Sequence, residues 1–367
     1  MRLLFHITSF ALTILFLSCR QAPKTDSPEV QTSTAPESGV WTIEKRELPP
    51  PSGASEVFYK SVETITQPDP VRSRNAEIPQ GTAAWKALQN SRDSAAARNT
   101  IKLIEATQVK VEEKEINGVL TRMVTPLVID EAFSDVIFIH LHGGAYTMNA
   151  GLAGISEAVL IANWVQMPVI SVDYRMPPDY PFPAAQDDAV AVYEKVLEDF
   201  PNHHLILGGT SAGGGLTLST TLRLKNENIR LPEAIFAGTP WSDLTKTGDS
   251  YYIMEGIDHV LITYEGFLEQ SALLYADGKD LKDPYLSPVY GDVSNFPPTF
   301  LLTGTRDMFQ SNTSRMQRIL KDNGVRTELV LLEGFSPADY GLMPDAPESK
   351  AAFMDLRLFL KEEMGLE

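Results

Sequence analysis

The chain has 367 residues, 43% apolar, 22% charged and 9% aromatic, enough apolar material for a large core in one or two domains. A net charge of −17 repels phosphate backbones and sets nucleic-acid binding aside. One cysteine excludes a disulfide framework and any cysteine-based zinc or iron–sulfur site.

After Met1-Arg2 the chain runs LLFHITSFALTILFLS, an apolar stretch too short to span a bilayer and led by one positive charge, as in a signal h-region. Cys19 closes it in FLSC. This resembles a bacterial lipoprotein signal, which implies removal of residues 1–18 and lipidation of Cys19; a plain secretory signal with an incidental cysteine is the alternative. Either way the expectation is export to the cell envelope, with membrane contact through the N-terminal lipid alone. Residues 21–39 (QAPKTDSPEVQTSTAPESG) hold three prolines and six Ser/Thr, too little apolar surface to offset ordering entropy. With the triple proline at 49–51, residues 19–55 read as a flexible linker.

From about Thr82 to Thr107 the spacing predicts a helix with Trp85, Leu88, Ile101 and Ile104 on its apolar face. KVEEKEI and VLTRMVT flank Asn117-Gly118, a hairpin signal. VIFIHL (136–141) is a continuous apolar run of the kind buried on both faces of a sheet. Strand-like runs then alternate with helical stretches: PVISVDY, a helix from about Ala184, LILGG, a helix from Ala212, AIFAG, TFLLTG, ELVLLEG, and a closing helix over about Lys350–Glu363. That alternation predicts a mostly parallel sheet with helices on both faces, an α/β fold. Ligands in such sheets bind beyond the carboxyl ends of the strands.

Three segments stand at such ends. Gly209-Thr210-Ser211-Ala212-Gly213-Gly214 follows LIL and opens a helix, the setting of a nucleophile elbow that lifts the Ser211 hydroxyl above the sheet. His142-Gly143-Gly144-Ala145-Tyr146 follows VIFIHL; the N–H groups of Gly143, Gly144 and Ala145, with that of Ala212, can bind an oxyanion. His142 itself reads as a structural hydrogen-bonding residue. Gly304-Thr305-Arg306-Asp307 follows TFLLT and puts an acid C-terminal to the serine, in the order Ser…Asp…His.

HGGAY, DYRMPPDYPFPAAQDD, GTSAGG and GTRD, in this order, resemble the hormone-sensitive-lipase-like branch of α/β-hydrolases, and GTSAGG resembles a bacterial subgroup of it. The resemblance runs from about residue 75 to the C-terminus. It implies a serine carboxylesterase for short or medium acyl esters, working on a small-molecule ester or acyl ligand without cofactor or metal. It also implies a helical cap built from residues 56–107 and about 242–290, on a hydrolase domain of residues 108–367. By the same resemblance Tyr174, Arg175, Asp187 and Asp188 are scaffold.

The pattern breaks at one position. Where the family carries its histidine, in a context like EGxxHAxY, this chain reads Glu333-Gly334-Phe335-Ser336-Pro337-Ala338-Asp339-Tyr340. No histidine follows His259. His203 and His204 stand at the wrong end of a strand, about 15 Å from Ser211 at ~3.3 Å per residue. His140 is inside a strand, His6 in the signal run, and His142 is tied to its turn. His259, in the second cap segment, is the one candidate that could swing over the cleft. Two expectations follow: a weak or rescued esterase, or an inactive hydrolase that binds an apolar or acyl ligand. In either, Asp307 without a partner in a dry cleft is pushed toward neutrality.

Overall fold

The structure, a computed structural model, describes Trp41, Lys45 and residues 47–366; the signal run, Cys19 and most of the linker lie outside the described residues. Eight strands form one sheet in the order β1-β2-β4-β3-β5-β6-β7-β8. They are β1 (Lys110–Ile116), β2 (Val119–Thr125), β3 (Val136–Leu141), β4 (Val169–Val172), β5 (His204–Thr210), β6 (Ala234–Gly238), β7 (Thr299–Gly304) and β8 (Thr327–Leu332). β1 and β2 are the expected hairpin, with Asn117 and Gly118 at φ 51° and 79°, the paired positive values of a type I′ turn. β2 joins β4 antiparallel, and every later pairing is parallel.

The two faces of the sheet can be read off β3, which is buried along its length. Ile137, Ile139 and Leu141 enter one core with residues of the helices Ala184–Asp199 and Ala212–Asn226. Val136 and Phe138 enter the other, with the segment Ile155–Val165 and the C-terminal helix. β5 alternates likewise, Leu205 and Leu207 against Ile206, so period-2 side chains feed two separate cores. His140 belongs to the second face by the same alternation.

In chain order the helices are α1 (Glu56–Glu63), α2 (Pro70–Arg74), α3 (Gly81–Thr107), α4 (Ser156–Leu160), α5 (Ala184–Asp199), α6 (Ala212–Asn226), α7 (Ser250–Ile253), α8 (Phe267–Ala276), α9 (Gln310–Asp322), α10 (Asp339–Leu342) and α11 (Pro347–Met364). α3 matches the predicted helix, but Ile101 is exposed rather than on its buried face. α11 starts three residues earlier than its amphipathic pattern suggests: Pro347 occupies the first helical position, where its missing N–H costs nothing, and Glu348 receives the Ser55 hydroxyl at 2.8 Å. Gly365 ends α11 in the left-handed conformation.

The linker, expected to run to about residue 55, gives way to packed chain at Pro49. Arg306 donates to the Pro49 carbonyl at 2.6 Å, Pro51 is buried, and a side chain at Gly334 would strike the Pro51 ring. Consecutive prolines have little freedom to lose, so a triple proline docks cheaply.

α3 and the chain from about 242 to 290 lie over the carboxyl ends of the strands. Gln89 of α3 donates to the carbonyls of Thr147 and Pro177 at 2.8 and 2.7 Å, and Asp93 accepts from the backbone N–H groups of Asn149 and Ala150 at 2.7 and 3.2 Å. Trp85 meets Phe267 of α8 with ring centroids 5.9 Å apart, joining the two covering segments. Beneath them, Arg175 grips Asp188 with bonds of 2.8 to 3.0 Å and Asp187 accepts from Arg223 at 2.5 Å. β4 lies on one side of β3 and β5 on the other, so the sheet reverses its winding between β3 and β5. At that reversal loops diverge and leave a crevice.

Candidate active site

Ser211 stands in the crevice at φ 60°, ψ −119°, a conformation that costs a non-glycine residue about 1–3 kcal/mol. Its N–H donates to the Gly238 carbonyl at 2.9 Å, and its own carbonyl accepts from Gly215 and Trp241 at 3.0 and 2.9 Å. A β-carbon on Gly209 or Gly213 would sit 1.9 Å from the Leu141 carbonyl oxygen. β3, the elbow and α6 therefore interlock only with glycine at both places. Ser211→Gly should raise folding stability by about 1 kcal/mol while removing the nucleophile. Urea denaturation checks this; an unchanged or lower midpoint would mean that the elbow is unstrained.

The loop after β3 faces the serine. A β-carbon on Gly143 would lie 3.5 Å from Ser211 Cβ, and Gly144, Ala145 and Tyr146 all have positive φ (120°, 53° and 61°). Such a run of turns gathers N–H groups into an anion-binding concavity. The Ala212 N–H, at the start of α6, has no partner within its helix. His142 pins this loop: Nδ1 donates to the Gly143 carbonyl at 2.8 Å, and the ring stacks on Tyr174 at 4.0 Å. Burial pushes its pKa down to about 4 and keeps it neutral.

Asp307 is fully buried in the loop after β7. It accepts from the Thr303 hydroxyl and the Phe309 N–H, both at 2.6 Å. Burial, and then the nearby Asp258 carboxylate, push its pKa up to about 8; burial takes Asp258 to about 6. The expected drift of Asp307 toward neutrality is thus present, and Asp258, which the sequence offered only as a neighbour of His259, contributes to it. The loop of Pro337 is stitched to this one. Arg306 N–H donates to the Phe335 carbonyl at 3.0 Å, and Gly334 N–H to the Thr305 hydroxyl at 2.7 Å.

His259 does not reach over the cleft. Its Nδ1 pairs with the Ser336 hydroxyl at 3.0 Å, and its Nε2 lies 3.0 Å from the buried Asp339 carboxylate. Burial alone would lower its pKa, but Asp339 outweighs that and the net shift is upward. An imidazole with both nitrogens turned to Ser336 and Asp339 is not placed to take a proton from Ser211. His204 begins β5 at the end away from Ser211, with His203 before it, as their spacing indicated.

A cavity of about 680 Å³ opens on Ser211 and on Gly143, Gly144 and Ala145. Pro337 lines it, so the position that matches the family's histidine does face the serine's space. Leu88 and Arg92 of α3 and the stretch Val260–Thr263 close it from the covering segments. Its wall also carries a polar chain that motif reading missed. Glu157 of α4 accepts from the Thr210 hydroxyl and pairs with His140 Nε2 at 2.9 Å; Tyr340 bonds Thr210 at 2.5 Å, and Ser171 meets His140 Nδ1 at 2.9 Å. The Thr of GTSAGG was the available signal: a buried hydroxyl beside the nucleophile needs a partner. Among the described residues no group of three or more His, Cys, Asp or Glu is placed to hold a metal ion.

A family model described as alpha/beta hydrolase fold matches residues 138–336, more than half of the chain. This chain is an α/β-hydrolase of the hormone-sensitive-lipase-like family. The hydrolase is similar to the crystal structure of an esterase, E25, with 42% identity and a TM-score of 0.85 over 88% of this chain and 98% of that one. It is 28% identical to an acetyl-hydrolase of Streptomyces hygroscopicus, over 62% of this chain and 76% of that protein. The hormone-sensitive lipase of Bos taurus matches 35% of this chain and 18% of its own length, at 29% identity. Set in the α/β-hydrolase fold, Ser211, the loop 143–145 and Pro337 line one crevice, and Asp307 lies buried in the loop bonded to that of Pro337.

Proposed function

We propose that this hydrolase binds short- to medium-chain carboxylic esters over Ser211 and hydrolyses them far more slowly than a complete serine esterase. What carries the reading is one juxtaposition: Ser211 and the oxyanion loop share a cavity with Pro337, which has no atom that can accept a proton. The names of its relatives, an acetyl-hydrolase and an esterase, support ester chemistry in general. Without imidazole the serine hydroxyl keeps its proton and is a weak nucleophile. Oxyanion stabilisation and binding still leave about 10³–10⁴-fold over water.

A second reading, an inactive hydrolase that holds an apolar or acyl ligand, is favoured by the same proline together with a largely neutral Asp307. Hydrolysis of p-nitrophenyl acetate and butyrate by the full chain and by Ser211→Ala separates the two. Slow turnover lost in Ser211→Ala supports the esterase; no Ser211-dependent turnover, with butyrate or its acid still bound, supports the ligand-binding protein. Turnover at the rate of ordinary esterases would overturn the role given to Pro337. The apolar run ending at Cys19 supports a further proposal, that the protein is exported and tethered to a membrane by a lipid on that cysteine.

A further inference from the structure

We propose that Glu157 is the general base for Ser211 in this chain, with His140 as its positioning partner. The inference rests on the esterase reading and names the group that does the work left undone at position 337. Several ionisable side chains line the cavity with Ser211. Arg92 carries its proton permanently. Glu265 is held by Lys246 at 2.5 Å and accepts from Thr263 at 3.0 Å. His140 has both ring nitrogens engaged, by Ser171 and by Glu157. Glu157 is a carboxylate, an acceptor with lone pairs beyond the two bonds it makes, and it is anchored to Thr210, the residue immediately before the nucleophile.

The hydrogen-bond partners accommodate a charged Glu157. A carboxylate only accepts, so Thr210 donates to it, Tyr340 donates to Thr210, and His140 donates through Nε2 while the Ser171 hydroxyl donates to Nδ1. With Glu157 charged, every hydroxyl in the chain points toward it, and each bond polarises the next. The network closes around an anion, and it sits on the cavity wall rather than deep in the core: Glu157 keeps 9% of its surface open where Tyr340 keeps 1% and His140 none.

The step balances without a metal or co-reactant. As Ser211 Oγ bonds to the ester carbonyl carbon, its proton passes to the Glu157 carboxylate, directly or across one water, and the carbonyl electron pair moves onto the oxygen facing Gly143, Gly144, Ala145 and Ala212. The protonated Glu157 returns that proton to the departing alkoxide as the C–O bond breaks and an acyl-serine forms. Water then repeats the sequence, leaving the carboxylic acid and free Ser211. A carboxylate is a weaker base than imidazole, so the rate is low but above that of a site with no base at all.

The test measures Ser211-dependent p-nitrophenyl acetate hydrolysis by the full chain from pH 4 to 9. Glu157→Gln and Glu157→Asp are made both in the native chain and in a Pro337→His background. Glu157→Gln should cost the native chain about 10²-fold or more, the lower end of the usual share of general-base catalysis. The same change should cost the Pro337→His chain at least ten times less, because imidazole has taken over the proton. The native profile should rise through one inflection to a plateau, and Glu157→Asp should move that inflection. Equal losses in both backgrounds would make Glu157 a scaffold residue and overturn the proposal. A native rate proportional to hydroxide across the range would do the same, and decides the matter even if Glu157→Gln does not fold. A silent native chain with an active Pro337→His chain overturns the base but keeps the esterase site; silence of both overturns both.

Discussion

Pro337→His should raise turnover of short p-nitrophenyl esters by about 10²–10⁴-fold, the usual share of a positioned general base. The substitution needs little rebuilding. Position 337 lines the cavity beside Ser211, and the loop is held in register independently of it by Ser336 N–H, which donates to Asp339 at 2.7 Å. An imidazole there stands between the serine and the loop of Asp307, the arrangement in which an acid fixes the tautomer and stabilises the imidazolium. The gain should vanish when Ser211→Ala is added, and Asp307→Asn should remove most of it. A Pro337→His chain that folds and stays as slow as the parent would mean that the cavity does not present ester carbonyls to Ser211. The proposed function would then be withdrawn.

Thermal stability should fall as pH rises from about 5 to 9. Asp258 and Asp307 have folded pKa values of about 6 and 8 against an ordinary 3.8, and His259 is raised above 6.5. Each binds its proton more tightly when the chain is folded. Their contribution is therefore complete below the unfolded values and is lost as pH climbs through the folded ones. For a carboxyl as buried as Asp307 the loss is on the order of several kcal/mol. Asp307→Asn keeps an acceptor for the Phe309 N–H and an amide for Thr303, and it has no proton to lose. It should flatten the Tm profile between pH 6 and 9 and raise Tm at pH 8.5. A Tm that climbs with pH over this range, in either chain, would mean that the buried carboxyls are ionised at no cost.

The alternation of strand and helix was legible because parallel strands buried on both faces read as unbroken apolar runs and the turns carry glycine. The elbow and oxyanion loops were legible for the same reason, since close approach of β3, Ser211 and α6 allows only glycine at 209 and 213. What sequence could not give was everything assembled across distance. Asp258 reaches Asp307 from a covering segment, and it entered the sequence only as a neighbour of His259. Glu157 has nothing beside it in sequence to mark it, because its partner Thr210 lies 53 positions along the chain and Tyr340, which bonds Thr210, another 130. Pro337 was legible as a missing base because one residue type can be read against a pattern. The fate of His259 was not, since only the fold shows it committed to Ser336 and Asp339.

The loop bearing Pro337 draws its shape from every residue around 337 and from nothing on 337 itself. Phe335 holds it to Arg306, Ser336 and Asp339 hold it to each other and to His259, and Tyr340 holds it to Thr210. A loop built this way keeps its shape whichever residue stands at 337. Two of the four proline codons become histidine by a change of the middle base alone, so on the reading proposed here the missing base lies within reach of a point mutation. In a population of cells exposed to a useful ester, the proposed site would then be a latent trait open to selection.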